Sequence, residues 1–552
     1  MRGIHAIDFV VVLIYLAGVL GAGWYFSRQQ KQGEDYFVAG RRMPWFAVGL
    51  SIVATMLSTV TYLAAPGEVI RHGLALSIGW LALPLAFVVV NFLWIPFFMR
   101  LGVTSIYEYL ERRFGLAARL TGVILFVFVL RLLWMATIVL TASRAVAQIT
   151  HGSIEQFISA GFSLDQWTLT MLLSVGILAT VYTMMGGIKA VIWTDVAQFI
   201  VLFGGVVFTL VFVSIDTGTG PLDWWKASTG NGATGHEFPP LFSWDITERN
   251  TILFTVLNVF FWYSCTFIAD QVAVQRYLTV SSVAAAVRGN VVQFVADFVI
   301  MILLAICGMA LLTYYLDPSF QTEIVGGISD PRHEQVADKV FPHYIAHGLP
   351  PVISGLVVAA LFAVAMSSLD SGLNSISAVL TIDIVGRLRP LHSQSQEVRL
   401  ARGITLVVGL ICTALAWIML SIPEHYNIIG ITARTFNCAL GPLASMFLVG
   451  MFLRRSGQTA VVAAALFGLL VAISAAWWVE LNWALGLTQF AVLDEATNNL
   501  RGPSPFLITP MATTSAFLMA WLLGWIFPDT RSDQEATMTW SQIVRGESKV
   551  ES

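Results

Sequence analysis

The chain has 552 residues, of which 57% are hydrophobic and only 11% are charged, and its mean hydropathy is +0.76. Soluble globular domains carry about 25% charged residues, so this composition excludes an ordinary soluble protein and indicates one that crosses a membrane. The formal net charge of −3 does not by itself indicate a class of partner.

About thirteen apolar stretches follow one another along the chain, each long enough to cross a hydrocarbon layer roughly 30 Å thick. The runs are continuous, whereas the strands of a membrane β-barrel would alternate polar and apolar residues. The sequence therefore predicts an all-α polytopic membrane protein. In chain order the predicted spans are 7–26, 45–66, 73–99, 118–148, 165–187, 188–215, 249–276, 281–315, 350–385, 396–421, 425–453, 457–479 and 506–527.

Lys and Arg residues predict the orientation, because the cytoplasmic loops of membrane proteins carry an excess of them. With the N-terminus outside and thirteen alternating helices, twenty basic residues fall on the cytoplasmic side and seven on the outer side. We therefore expect a multi-pass protein of the plasma (inner) membrane with an outer N-terminus and a cytoplasmic C-terminus.

Cysteine usage and the absence of a nucleotide motif narrow the function. The four cysteines lie inside predicted spans without paired spacing, which indicates neither a disulfide framework nor a zinc site. The sequence has no P-loop, so ATP hydrolysis within this chain is not expected.

The segment AVAMSSLDSGLNS, residues 363–375, places polar side chains inside a span. Serines also occur at tight helix contacts in membranes, but a charged side chain at the middle of a bilayer costs about 2.5–3.5 kcal/mol and normally faces a cavity or a partner. Hydroxyl and carboxylate oxygens suit an alkali cation, so the segment indicates a cation site. Its polar residues recur at i, i+3, i+4 and i+7 and share one helical face: Ser367, Asp370, Ser371 and Asn374.

Two predicted spans are interrupted by polar or helix-breaking residues. In SIVATMLSTVTYLAAPGEV, residues 51–69, β-branched and hydroxyl residues and then Ala-Ala-Pro-Gly interrupt an otherwise apolar helix. The span at 249–276 mixes aromatic residues with Ser264, Thr266, Asp270 and Gln271. Broken helices at matching places in two halves point to the binding site of a transporter. The pattern predicts a five-plus-five inverted repeat with a broken first and sixth core helix.

This repeat divides the chain into six parts. They are an N-terminal extra helix and loop at 1–44, a first five-helix repeat at 45–215, an outer loop at 216–248, a second five-helix repeat at 249–453, two C-terminal helices at 454–527 and a cytoplasmic tail at 528–552.

Four motifs follow one another in the sequence: DYFVAGRRMPWFAVGLSIVATMLS at 35–58, GGIKAVIWTDVAQ at 186–198, DQVAVQRYL at 270–278 and SSLDSGLNS at 367–375. In this order they resemble the sodium:solute symporter family, which has the leucine-transporter-like fold. The resemblance covers about residues 5–455 and is closest to the branch that transports sialic acids and sugars.

The resemblance implies where sodium, the co-transported ion, binds. The family's shared sodium site lies between the broken first core helix and the eighth core helix. In this sequence its ligands would be the backbone carbonyls and hydroxyls of Ala54, Leu57, Val364, Ser367 and Ser368.

A second sodium site is implied by the likeness to the sialic acid branch. It would use Asp195, Ser367, Asp370 and Ser371. Those relatives carry a hydroxyl where this chain has Asp370, which leaves three interpretations open: a second sodium, a proton, or a structural hydrogen bond between the two carboxyl groups. Asp297 is a further acid inside a predicted span, with no role assigned to it.

The family's solute cavity is lined by the broken first helix and several other core helices. Arg131 suits a carboxylate through its planar guanidinium, or it pairs with Asp195 or another buried acid. Thr61 stands where sugar-binding relatives carry glutamine, which weakens a glucose assignment. The candidate lining residues are Met56, Ser58, Thr61, Trp80, Arg131, Trp134, Tyr263 and Phe436.

We therefore expect a sodium-coupled secondary active symporter that imports a small polar organic solute, such as a sugar, a sialic acid or another carboxylate, and not an enzyme. Its expected partners are sodium, the solute and the lipid bilayer, with no nucleic acid and no obligatory protein partner. Alternatives are proton coupling, an amino-acid or monocarboxylate substrate, a membrane solute sensor, and an intramembrane enzyme that uses Asp195 and Asp370 as an acid–base pair.

Overall fold

The computed structural model describes residues 4–27, 33–157, 163–229, 240–248, 251–324, 327–333, 336–388, 393–422, 428–486, 492–494, 499–529 and 538–545. The first residues of the spans predicted at 249–276 and 425–453 lie outside these ranges.

The described chain is almost entirely helical. Its first twelve α-helices are α1 (Ala6–Ser27), α2 (Gly33–Val38), α3 (Trp45–Met56), α4 (Thr59–His72), α5 (Ala75–Ile78), α6 (Leu83–Val89), α7 (Ile95–Leu101), α8 (Tyr107–Phe114), α9 (Leu116–Ile124), α10 (Leu133–Phe157), α11 (Leu164–Thr217) and α12 (Pro221–Thr229). The others are α13 (Ile252–Ala269), α14 (Gln271–Tyr277), α15 (Val283–Leu316), α16 (Ala337–His347), α17 (Ile353–Val379), α18 (Gly386–Leu388), α19 (Gln394–Leu420), α20 (Ile428–Phe452), α21 (Gln458–Ala476), α22 (Trp478–Ala484), α23 (Ile508–Ile526) and α24 (Trp540–Arg545).

Shorter elements connect or extend these helices. Three 3₁₀ turns, at Ala39–Arg41, Gly79–Ala82 and Pro505–Leu507, and three π-helical segments, at Val90–Trp94, Leu125–Leu132 and Leu380–Val385, are present. Two strands, β1 (Val492–Asp494) and β2 (Asn499–Arg501), form an antiparallel ribbon. This ribbon is a small exception to the all-α prediction, and it lies in the predicted outer loop between the last two long helices.

Eleven described helices are long and apolar enough to cross a membrane, and a bent pair, α3 with α4, adds a twelfth span. The polytopic helical prediction is confirmed. The difference from thirteen arises in α11, whose 54 residues count as one span but are kinked at the boundary between the spans predicted at 165–187 and 188–215. Gly187 marks that boundary with φ 53° and ψ −170°, a conformation that only glycine adopts readily.

The first broken helix bends inside the predicted segment 51–69, at its hydroxyl residues. α3 ends at Met56 and α4 begins at Thr59, with an angle of 65° between them. Ser58 lies at the break and its hydroxyl accepts from the backbone N–H of Thr61 at 3.2 Å, as an N-cap does. Pro66 lies inside α4, so the Ala-Ala-Pro-Gly segment does not cause the interruption.

The second break falls at Asp270, between α13 and α14. Asp270 is in an extended conformation, and its carboxylate accepts from the N–H of Val272 at 3.0 Å, so it caps α14. Both half-helices therefore begin at a side-chain N-cap, Ser58 in one case and Asp270 in the other.

The polar-striped helix α17 is the most deeply buried long element. Every residue from Val357 to Val379 is buried, which requires small side chains so that neighbouring helices can approach closely. Gly372 shows the closeness, since a Cβ atom there would lie 2.1 Å from the sulfur of Met135 on α10. A carboxylate on such a helix has no lipid-facing position.

Candidate functional site

The break between α3 and α4 lies directly against the polar stripe of α17. The hydroxyl of Ser368 donates to the backbone carbonyl of Thr55 at 3.2 Å, and the hydroxyls of Thr55 and Ser371 are 3.0 Å apart. The last carbonyl groups of a helix have no intrahelical donor, so the end of α3 directs backbone oxygens toward the hydroxyls of α17.

The five residues of the predicted sodium site belong to these two elements and are all buried. Ala54 is in the last turn of α3 and Leu57 follows its end, while Val364, Ser367 and Ser368 lie within α17. Among the described residues, no group forms a hydrogen bond with the hydroxyl oxygen of Ser367. The structure thus brings the predicted oxygens to one junction, and their role as sodium ligands stays a prediction.

The carboxylate of Asp195, on α11, is bound mainly by an arginine. The guanidinium of Arg276 lies 3.2 Å from Asp195 Oδ2, and the hydroxyl of Ser51 donates to the same oxygen at 2.5 Å. Arg276 also donates to the hydroxyls of Ser51 and Ser371. Arg276, which was one of the twenty basic residues assigned to cytoplasmic loops from the sequence, instead lies at the end of α14 and is fully buried.

Asp370 does not pair directly with Asp195. Its two carboxylate oxygens accept from the hydroxyls of Tyr182, on α11, and Ser371. The two acids are instead linked through Arg276, which donates to both Asp195 and Ser371. In this geometry the acid–base pair of an intramembrane enzyme is not assembled, and a hydrogen bond between the two carboxyl groups is not formed.

All eight candidate solute-binding residues line one cavity of about 270 Å³, which lies beside the α3–α4 break. Met56, Ser58 and Thr61 lie at the break itself. Trp134 and Phe436 come from α10 and α20, and their ring centroids are 5.3 Å apart. That these residues contact a solute stays a prediction.

Arg131, one of the eight, is already paired with an acid. Both its Nε and its Nη2 donate to the two carboxylate oxygens of Asp270, the N-cap of α14. Its guanidinium also lies 5.6 Å from the centroid of the Phe436 ring. From the sequence, the partner of Arg131 was expected to be Asp195 or another buried acid. The structure shows another buried acid, Asp270, in this role, and not Asp195. Donors of the guanidinium that do not bind Asp270 remain for a solute.

Two lining residues carry chemistry that the sequence did not assign to the site. Asp297, on α15, lines the cavity and accepts from the hydroxyl of Tyr263, and Trp262 lies beside Tyr263 with 5.1 Å between ring centroids. The position of Asp297 inside an apolar span was the available signal, because intramembrane acids usually face a cavity. Its distance along the chain from the other motifs concealed the connection.

Two helices broken next to buried ion pairs and a polar cavity define a class of protein, namely a membrane transporter with discontinuous helices. A model of the sodium:solute symporter family matches residues 36–471. The chain therefore belongs to the sodium:solute symporter family, and it is a sodium-coupled symporter of a small solute.

Named relatives agree with this family. The chain is 31% identical to the sodium/sialic acid symporter SiaT of Proteus mirabilis over 92% of its own length and 98% of that protein. It is 30% identical to the sodium/sialic acid symporter NanT of Aliivibrio fischeri, over 88% and 90%. A solved substrate-bound, outward-open Na⁺-coupled sialic acid symporter superimposes with a TM-score of 0.76 at 26% identity, covering 95% of this chain and 98% of that one.

Proposed function

We propose that this protein uses one sodium ion, held between α3 and α17, to drive import of a small polar organic solute bound in the cavity at the α3–α4 break. The observation that carries the proposal is the contact of Ser368 with the carbonyl of Thr55, which joins the two helices at the predicted ligands. Relatives of this chain include sodium/sialic acid and sodium/glucose symporters, so sugars, sialic acids and other carboxylates are the first solutes to test.

The coupling follows from this placement. Sodium entering from outside binds carbonyls at the end of α3 and hydroxyls of α17, which fixes the angle between the two helices. Met56, Ser58 and Thr61 follow those carbonyls directly and line the cavity, so the ion stabilises the solute site as well. Membrane potential contributes about 2.3 kcal/mol per charge per 100 mV to the loading.

Alternating access then involves the two proposed repeats, 45–215 and 249–453, rocking against each other about the site. The matching breaks at Ser58 and Asp270 support this division. The proposed orientation has the N-terminus outside and the C-terminus in the cytoplasm, in the plasma membrane.

The experiment that tests the sodium site compares two serines of α17. Ser368→Ala removes a predicted ligand. Ser377→Ala is the control: Ser377 lies about two turns further along α17, and its buried hydroxyl donates to the backbone carbonyl of Ala401. Purified protein is titrated with NaCl against KCl at constant ionic strength, and thermal stability is measured. We expect the sodium midpoint to rise about tenfold, equivalent to about 1.4 kcal/mol, in Ser368→Ala only. A wild-type midpoint in that variant would contradict the assignment.

A second cation, either sodium or a proton, is supported by the charge of the neighbouring network. Asp195 and Asp370 bring two carboxyl groups, and Arg276 brings one positive charge. In the described part of the chain, no basic side chain contacts Asp370. An uncompensated buried carboxylate is costly, so we propose that Asp370 takes up a cation, either a second sodium ion or a proton, during the cycle.

A further inference from the structure

The cavity contains a buried acid that lacks a counter-charge. Three other buried aspartates each bind an arginine: Asp195 binds Arg276, Asp270 binds Arg131 and Asp383 binds Arg119. Asp370 also lacks a described arginine partner, but its carboxylate is bound by the hydroxyls of Tyr182 and Ser371, and it is not among the residues that line the cavity. Asp297 is 1% exposed, and in the described part of the chain no basic side chain pairs with it. Its one described side-chain partner is the neutral hydroxyl of Tyr263.

The polar groups of the cavity therefore do not balance in charge. Arg131 is neutralised by Asp270, which accepts two of its N–H groups. Asp297 contributes a negative charge that nothing in the lining offsets. A carboxylate buried in a membrane protein normally faces a partner of opposite charge, and here the space in front of it is the cavity itself.

Aromatic rings cover the wall between these two polar groups. The ring of Phe436 lies under Arg131 and 6.4 Å from Trp262, and Trp262 in turn contacts Tyr263, the partner of Asp297. Aromatic faces attract ammonium groups, which is how proteins recognise quaternary amines. A dehydrated sodium ion, by comparison, needs several oxygen ligands from the protein, and these ring faces supply none.

Resting on the proposed function, we propose that the transported solute carries a cationic nitrogen, which binds between Asp297 and the rings of Trp262 and Tyr263. The remaining donors of Arg131 then bind an oxygen acceptor elsewhere on the same molecule. A small zwitterion or amino alcohol fits this arrangement, and an uncharged sugar leaves Asp297 without a partner. The solute class is therefore defined by the nitrogen and by its distance from an oxygen acceptor.

The test uses probes that differ only at the nitrogen. Glycine betaine is compared with 3,3-dimethylbutyrate and choline with 3,3-dimethylbutanol, because in each pair a carbon replaces the charged nitrogen. L-proline and N-acetylneuraminate complete the set as a secondary amine and an anionic sugar. Purified protein is measured by thermal shift with each probe in NaCl and in KCl, and any stabilising probe is then tested for uptake into proteoliposomes.

We expect at least one cationic-nitrogen probe to stabilise the wild type in sodium, with at least tenfold preference over its carbon isostere. Asp297→Asn should abolish that preference, while Asp330→Asn, which changes an acid in the exposed segment between α15 and α16, should keep it. Trp262→Leu provides a second variant if Asp297→Asn does not fold, and it should weaken the cationic probe at least fivefold more than the isostere.

Three outcomes overturn the inference: stabilisation only by N-acetylneuraminate or uncharged probes, equal binding of nitrogen and carbon isosteres, or no binding by any cationic probe. Failure of the proposed function is separable, because it shows as loss of the sodium effect in the Ser368→Ala comparison, which needs no solute.

Discussion

One buried arginine, Arg276, connects the carboxyl groups of Asp195 and Asp370 at the centre of the protein. Arg276 binds Asp195 and reaches Ser371, whose hydroxyl donates to Asp370. Because guanidinium groups stay protonated, one of the two carboxyl groups is permanently compensated, and the other is available for a cation that moves.

Because Arg276 compensates only one of the two carboxyl groups, the effect of Asp370→Asn can be predicted. The variant keeps the size of the side chain and removes the uncompensated charge, so we expect loss of the second cation. In wild-type protein the sodium titration of thermal stability should be either steeper than for one ion or dependent on pH, and in the variant it should be neither. Identical steepness and pH dependence in both proteins would rule out a cation at Asp370.

At this scale the sequence predicted positions better than pairings. The stripe at i, i+3, i+4 and i+7 located Ser367 and Asp370 correctly on one buried face, because helical periodicity is local. The partners of Arg131 and Arg276 come from helices more than eighty residues away along the chain. Spacing within one segment carries no information on such contacts.

Among the elements, α11 is the clearest case of a helix whose geometry depends on one residue. Gly187 has φ 53° and ψ −170° between two helical halves. An L-residue there is strained whatever space surrounds it, at a cost of about 1–3 kcal/mol. The bend directs the second half, which carries Asp195, toward α3 and α17.

We therefore expect Gly187→Ala to destabilise the protein by about 1–3 kcal/mol. Gly204→Ala is the matched control on the same helix, since its added Cβ would meet only a Phe208 ring carbon at 3.9 Å. It should be neutral or slightly stabilising, because alanine is the better helix former. Thermal unfolding of the purified proteins measures both, and equal melting temperatures for the two variants would contradict the role of the bend.

Long apolar elements were predictable, whereas short ones and breaks were only partly so. The break at Asp270 was expected from the polar residues of its span. The break in the first core helix was assigned to hydroxyl and β-branched residues followed by Ala-Ala-Pro-Gly. It lies at the hydroxyl residue Ser58, whereas the proline is tolerated inside α4. Helices α16 and α24 and the β1–β2 ribbon lie in segments expected to be loops, because they are too short to form the long apolar runs that hydropathy detects.

At the scale of the whole molecule, helix α16 packs on α4, the second half of the first broken helix. In α16, Asp338 pairs with Arg71 of α4 at 3.2 Å, and the Phe341 ring lies 5.6 Å from Tyr62. His343 accepts or donates a 2.6 Å hydrogen bond with Tyr315, and its ring lies 4.5 Å from that of His347. Burial and then the neighbouring His347 lower the pKa of His343 to about 4.

The lowered pKa of His343 predicts that acid weakens the packing of α16. In the unfolded chain histidine binds a proton near pH 6.5, whereas in the folded protein it stays neutral until about pH 4. The stabilising contribution is thus present above pH 6.5 and is lost as the pH falls toward 4. We expect hydrogen exchange of α16 to accelerate over this range in the wild type and less in His343→Asn, and an identical pH profile in both would contradict the assignment.

The buried guanidinium of Arg276 has a consequence for the return half of the transport cycle. If a sodium ion bound Asp195 in place of Arg276, the ion would be released in each transport cycle. The carboxylate of Asp195 would then be unpaired while the empty transporter returns to the outward-open state. A positive charge anchored to the polypeptide makes the return trip together with Asp195. We therefore expect Arg276 to lower the electrostatic barrier to the return of the empty transporter.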